Sequence, residues 1–160
     1  MKTVIIYHSF SGVTRGVAER VRDACGGDLL EVRPRQPYSK LTAYTLGVVR
    51  ARGGHRDPIE PPSIDVSAYD RIVLGTPVWA GRATPVMNSA VDGLRGATGK
   101  SAVLFATCGA QAGETFPMLR SALDGKGVRV IGEFSFAKRE VGDMGKIAAL
   151  NAAVTAPDMG

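Results

Sequence analysis

A chain of 160 residues, 44% hydrophobic and 22% charged, has the size and apolar content of one globular domain and leaves no room for a second. No run approaches the eighteen or more apolar residues of a membrane span, and the N-terminus lacks a charged-then-apolar leader pattern, so a cytoplasmic protein is expected. The net charge of +5 comes from one stretch, and the two cysteines, Cys25 and Cys108, form neither a disulfide framework nor a metal-ligand spacing.

The first strand is expected at Thr3–Tyr7, an apolar and β-branched run. It breaks into Ser9, Phe10, Ser11, Gly12, Val13 and Thr14, and a helix follows over Val13–Cys25 with Val17, Val21 and Ala24 inward and Gly26-Gly27 as its stop. Hydroxyls at Ser9, Ser11 and Thr14, close backbone approach at Gly12 and the opening N–H groups of a helix suit a bound phosphate. An ordinary turn in which serine and threonine cap the helix is the alternative. The three-glycine dinucleotide fingerprint and the Gly-Lys-Ser/Thr ending of a Walker loop are both absent. His8, at the strand end, is expected to pack or to bond the backbone.

A second strand is expected at Leu29–Arg33. From Arg33 to Arg56 there are six basic residues and no acid, namely Arg33, Arg35, Lys40, Arg50, Arg52 and Arg56, so the rest of the chain is close to neutral. A short helix over Leu41–Ala51 is expected within this connection. The segment reads either as a docking face for an anionic partner or for pyridine-nucleotide phosphates, or as a solvated connection, and in each case it should lie away from any cofactor. His55, within it, is expected at the surface.

The third strand is expected at Arg71–Leu74, with Gly75–Arg82 as its loop. Thr84-Pro85 then opens a helix to about Leu94, a hydroxyl N-cap followed by proline in the first turn. A fourth strand follows at Ser101–Ala106, a helix at about Glu114–Leu123, a fifth strand at Val128–Phe136 and a last helix at roughly Asp143–Val154. The result is an α/β chain: a three-layer doubly wound sandwich around a five-stranded parallel sheet.

Two further loops carry candidate residues. Thr76, Pro77, Val78, Trp79, Ala80 and Gly81 follow the third strand and include the only tryptophan, placed to stack on a flat ligand or to pack beneath the loop. Thr107, Cys108, Gly109 and Gln111 follow the fourth. With no His, Arg or Lys within six residues, Cys108 reads as a small residue near the site in preference to a reactive thiol.

The S-x-S-G-x-T pattern at Ser9–Thr14 resembles the phosphate loop of the flavodoxin-like family, and TPVWAGRATPVM resembles the flavin-contacting loop and following helix of short-chain flavodoxin-like proteins and flavin-dependent reductases. Val13 stands where the family often has asparagine, and the fourth-strand loop has no clear aromatic. The resemblance implies strand order 2-1-3-4-5 and FMN held by the three loops, Gln111 facing the pyrimidine edge of the ring. It implies no catalytic side chain, because the flavin carries the chemistry. The implied function is electron transfer with a redox partner protein, or reduction of FMN or quinones by NAD(P)H. A flavin-free interaction domain is a third reading, and no nucleic-acid partner is expected.

Overall fold

Side chains that alternate along β1 (Thr3–Tyr7) go to opposite sides of a sheet, and both sides are dry. Val4 and Ile6 enter one core, Ile5 and Tyr7 the other. The computed structural model describes residues 1–158. Within it β1 lies in a parallel sheet with β2 (Asp28–Glu31), β3 (Arg71–Trp79), β4 (Ser101–Cys108) and β5 (Arg129–Ala137), in the order β2-β1-β3-β4-β5. This is the expected 2-1-3-4-5 arrangement. The β3 and β4 strands alternate in the same way, with Ile72, Leu74, Ala102 and Leu104 on one face and Val73, Val103 and Phe105 on the other.

Helices cover each face. On one, α1 (Val13–Cys25) and the C-terminal helix contribute Val17, Ala18, Val21, Ile147, Leu150 and Val154. The other is covered by the helix Pro85–Asp92, through Val86, Met87, Ala90 and Val91, and by Thr115–Asp124, through Leu119 and Leu123. Counting the helical connection 40–52 as α2, these are α3 (Pro85–Asp92), α4 (Thr115–Asp124) and α5 (Met144–Thr155). No helix among the described residues is long and apolar enough to cross a membrane.

Several expected boundaries move, each for a pairing reason. Strand β2 stops at Glu31 because Arg33–Pro34 turns away to pair antiparallel with Ile59–Glu60. Strand β3 continues through Trp79, where a loop from Gly75 was expected. Its end is held extended by an antiparallel return in which Val78 meets Ala83 and Trp79 meets Arg82. Helix α3 ends at Asp92, because Leu94–Arg95 pairs with Ile64–Asp65. Ala24 is exposed, and Ala18 takes the inward place. Thr84 caps α3 as expected, accepting from the Met87 amide with Pro85 in the first turn.

Arg71 opens β3 with a fully buried guanidinium. It donates to Ser101 Oγ at 2.8 Å, to the carbonyls of Ala153 and Val154 at 2.9 and 2.7 Å, and to Asp158 at 2.7 Å. A cation at the C-terminal end of α5 meets the negative end of the helix dipole and satisfies carbonyls the helix leaves unpaired. Arg71→Met should therefore leave buried acceptors without donors and lower unfolding stability by roughly 3 kcal/mol in urea titration. An unchanged midpoint would mean that α5 is fixed by its apolar face alone.

Candidate functional site

The carboxyl ends of β1, β3 and β4 lie side by side where the strand order reverses, and the loops leaving them form the candidate site. Gly12 has φ +94°, a left-handed conformation at the N-cap of α1 that a side chain rarely adopts. A Cβ placed there would meet nothing within 4 Å, so the space above the loop is open. Ser9 Oγ accepts from the amides of Gly12 and Arg15 at 3.1 and 3.3 Å. The Val13 and Thr14 amides have no acceptor among the described residues, and no acidic side chain occupies the first turn. The helix thus presents unsatisfied donors without a competing carboxylate.

Thr14, expected to offer its hydroxyl to a phosphate, is buried, and that hydroxyl shares a 2.7 Å hydrogen bond with that of Thr107. That bond ties the first loop to the end of β4. Ser11 is exposed, while Phe10 and Val13 border the loop. Thr76 is also buried, its hydroxyl donating to the Pro77 carbonyl, so it shapes the strand end from within. Gly109 and Gln111 are exposed on the β4 loop. Cys108 Sγ lies 3.7 Å from the Phe136 carbonyl, and burial pushes its thiol pKa up, which removes thiolate character.

Ala80 and Gly81 form the tip of the β3 hairpin, both at positive φ, and strain at Ala80 is held by the pairing on either side. The tip docks on the β4 loop: the Glu114 amide donates to the Gly81 carbonyl at 2.7 Å, and a Cβ on Gly113 would stand 2.6 Å from that same oxygen. Two glycines therefore let two loop backbones touch.

Trp79 is the centre of an aromatic group. His8, Phe10 and Tyr38 present their rings nearly edge-on to it, with centroids 6.0, 5.9 and 5.2 Å away. Gly47 backs the indole so closely that a Cβ there would come within 2.7 Å of Trp79 Cζ3. Tyr38 is fixed in turn by its hydroxyl, which donates to Asp57, and Asp57 pairs with Arg50. Burial, and after it the bond to Asp57, pushes the phenol pKa up to about 12, so it stays a donor. The expectation that the basic segment lies away from the loop cluster is corrected by these contacts, since Tyr38 and Gly47 of that connection pack against Trp79. A signal in the sequence was available: Ala43, Gly47 and Ala51 recur every four residues, a small-residue stripe that permits close packing. Four of the six basic residues also have acidic partners, Arg33 with Glu31, Arg35 with Glu60, Arg50 with Asp57 and Arg56 with Asp92. His55 is exposed.

His8 is buried and its Nδ1 lies 2.8 Å from Thr84 Oγ1, the hydroxyl that caps α3. Desolvation lowers its pKa to about 4, outweighing the opposing pull of Glu31 and Asp57, so the ring is neutral. No cluster of three or more His, Cys, Asp or Glu suited to a metal occurs among the described residues.

Two outcomes are expected. Gly113→Ala should cost about 1–3 kcal/mol and speed hydrogen exchange at the Glu114 amide, and equal exchange in both proteins would count against the docked tip. The neutral His8 adds stability that is complete above pH 6.5 and is lost as pH falls through about 4, on the order of 3 kcal/mol. In His8→Phe this part of the acid limb of a stability–pH curve should vanish; persistence of the full limb would assign it to carboxylates.

Residues 2–125 match the family model for flavodoxin. A search of curated protein sequences finds no match. Among solved structures, a Bacteroides eggerthii protein assigned as a flavoprotein superposes with a TM-score of 0.79 at 24% identity, over 98% of this chain and 99% of the other. A Lactobacillus acidophilus flavoprotein in complex with FMN gives 0.71 at 24%, over 88% and 95%. The two-electron reduced flavodoxin of Megasphaera elsdenii gives 0.62 at 21%, over 95% and 97%. These likenesses carry the fold, and the family match, which spans more than half of the sequence, carries membership: the chain belongs to the flavodoxin family.

Proposed function

We propose that this single-domain protein binds FMN and works in electron transfer with a partner protein. The observation that carries the reading is the start of α1, where two amides without acceptors, a left-handed glycine and open space meet with no carboxylate in the first turn. That donor set suits one terminal phosphate, and the absence of a glycine fingerprint for an adenylate half favours FMN over FAD.

Bound FMN would supply the redox chemistry, and the protein's part is to hold the ring, keep water from it and set the hydrogen bonds at its edge. Ser9–Thr14 hold the phosphate. Trp79 and the hairpin Thr76–Gly81 border the ring on one side, and Thr107, Cys108, Gly109 and Gln111 on the other. Neutral His8 braces Trp79 and moves no proton in this scheme. Free thiols at Cys25 and Cys108 agree with work in the cytoplasm.

A second reading, reduction of FMN or quinones by NAD(P)H, is favoured by the basic character of the chain, which departs from the acidic surface usual for carriers of this family. One experiment separates the two. FMN added to the apoprotein should quench the emission of Trp79, the sole tryptophan, and Gly12→Val should weaken binding at least about ten-fold, because a β-branched residue is strained at that φ. The loaded protein is then mixed anaerobically with NADH or NADPH. An unbleached spectrum is expected and supports the carrier; bleaching would select the reductase, and FAD binding as tight as FMN would remove the monophosphate assignment.

A further inference from the structure

Helix α2 is packed inside out. Its buried stripe is Ala43, Gly47 and Ala51, while its large apolar residues face solvent: Leu41 is 73% exposed, Tyr44 78%, Val49 66% and Leu46 54%. The inward stripe has a reason at Gly47, where any larger side chain would collide with Trp79. Packing gives no reason for the outward one. Leu41 and Tyr44, and likewise Leu46 and Val49, stand three residues apart, so exposed apolar side chains neighbour one another along the helix, and exposed apolar groups of this kind mark contact surfaces. One turn of the helix, Ala43–Gly47, has wider π geometry, a local irregularity common near functional sites.

Charge identifies what the patch receives. Lys40 and Arg52 stand at the two ends of the helix, both exposed, and neither forms an ion pair among the described residues. The helix carries no acid, and with Arg50 paired to Asp57 its free charge is that of Lys40 and Arg52. In a symmetric contact between two copies, this cation-only surface would face itself within a chain of net charge +5, which disfavours self-association. An acidic surface with an apolar centre is complementary.

From this we infer that the outer face of α2 is the docking surface for an acidic redox protein, with Leu41, Tyr44 and Val49 at its centre and Lys40 and Arg52 at its rim. The identification of the partner as a redox protein rests on the FMN reading; the surface itself does not. The opposite face of the same helix touches Trp79 through Gly47, so a partner seated on α2 stands one helix away from the loop cluster. One electron passes between the two centres, one oxidised as the other is reduced, with no atom transferred. The reversed sign relative to acidic carriers sets partner choice, since a basic protein would meet like charge.

The test uses the FMN-loaded protein with an acidic plant-type ferredoxin as probe and a basic c-type cytochrome as charge control. Hydrogen exchange and calorimetry read the contact at low and at physiological salt. Protection within residues 40–52 on ferredoxin addition is expected, with no binding of the cytochrome. Lys40→Glu with Arg52→Glu should raise the ferredoxin Kd at least about ten-fold at low salt and less at high salt. Leu41→Ser with Tyr44→Ser should raise it at both. Protection elsewhere, equal binding of both probes, or no ferredoxin binding overturns the inference. It is equally overturned by binding to phosphatidylglycerol vesicles that is lost in Leu41→Ser/Tyr44→Ser, which would make α2 a membrane-surface helix, or by a dimer that the same variant dissociates. FMN titration of the parent and of every variant runs alongside: a parent that binds no FMN removes the cofactor reading, while the footprint on the apoprotein still decides the surface.

Discussion

The parallel pairing of β1 with β3, from Thr3 opposite Arg71 to Tyr7 opposite Gly75, governs the placement of everything that follows, because the strand order reverses there. The chain leaves β1 into a helix on one face and leaves β3 toward a helix on the other, so two adjacent strand ends release their loops in opposite directions. A crevice between those loops is the geometric result. Burial of the sheet on both faces then makes the pairing hard to shift, since slipping by one residue would exchange Ile5 and Tyr7 for Val4 and Ile6 in the two cores.

Within that crevice polar contacts between loops do what apolar packing does in the core. The Thr14–Thr107 bond joins the first and third loops, the Glu114–Gly81 bond joins the second and third, and His8 joins the end of β1 to the cap of α3. Each is buried or short, and each removes freedom from a backbone that would otherwise be mobile. A site assembled in this way holds its shape before a ligand arrives, which lowers the ordering cost of binding.

The connection 38–57 links the loop cluster to the surface. Its inner residues are small or pinned, Gly47 against Trp79 and Tyr38 by Asp57, and its outer residues are large and apolar. The pairing of four of its six basic residues with acids reduces the charge that the sequence suggests and leaves Lys40 and Arg52 at the ends of the exposed helix. Charge counted along a sequence overstates the field of a folded segment for this reason.

The sequence by itself determined the layers, and its resemblance to the flavodoxin-like family supplied the strand order. Apolar runs at Thr3–Tyr7, Arg71–Leu74 and Ser101–Ala106, helix stops at Gly26-Gly27 and the Thr84-Pro85 start are local signals, because strand burial, capping and left-handed glycine act within a few residues. It also marked the three loops, since a turn that must sit between a parallel strand and its helix shows in small and hydroxylated residues. Contacts between segments far apart in the chain were not legible. That Thr14 turns inward to Thr107, that β3 runs on to Trp79 because Arg82–Ala83 returns along it, and that Gly47 and Tyr38 close on Trp79 each depend on a partner whose position only the packed fold supplies. The tertiary structure decided these, because close approach between distant residues is fixed by the whole of the packing and by no single stretch of the chain.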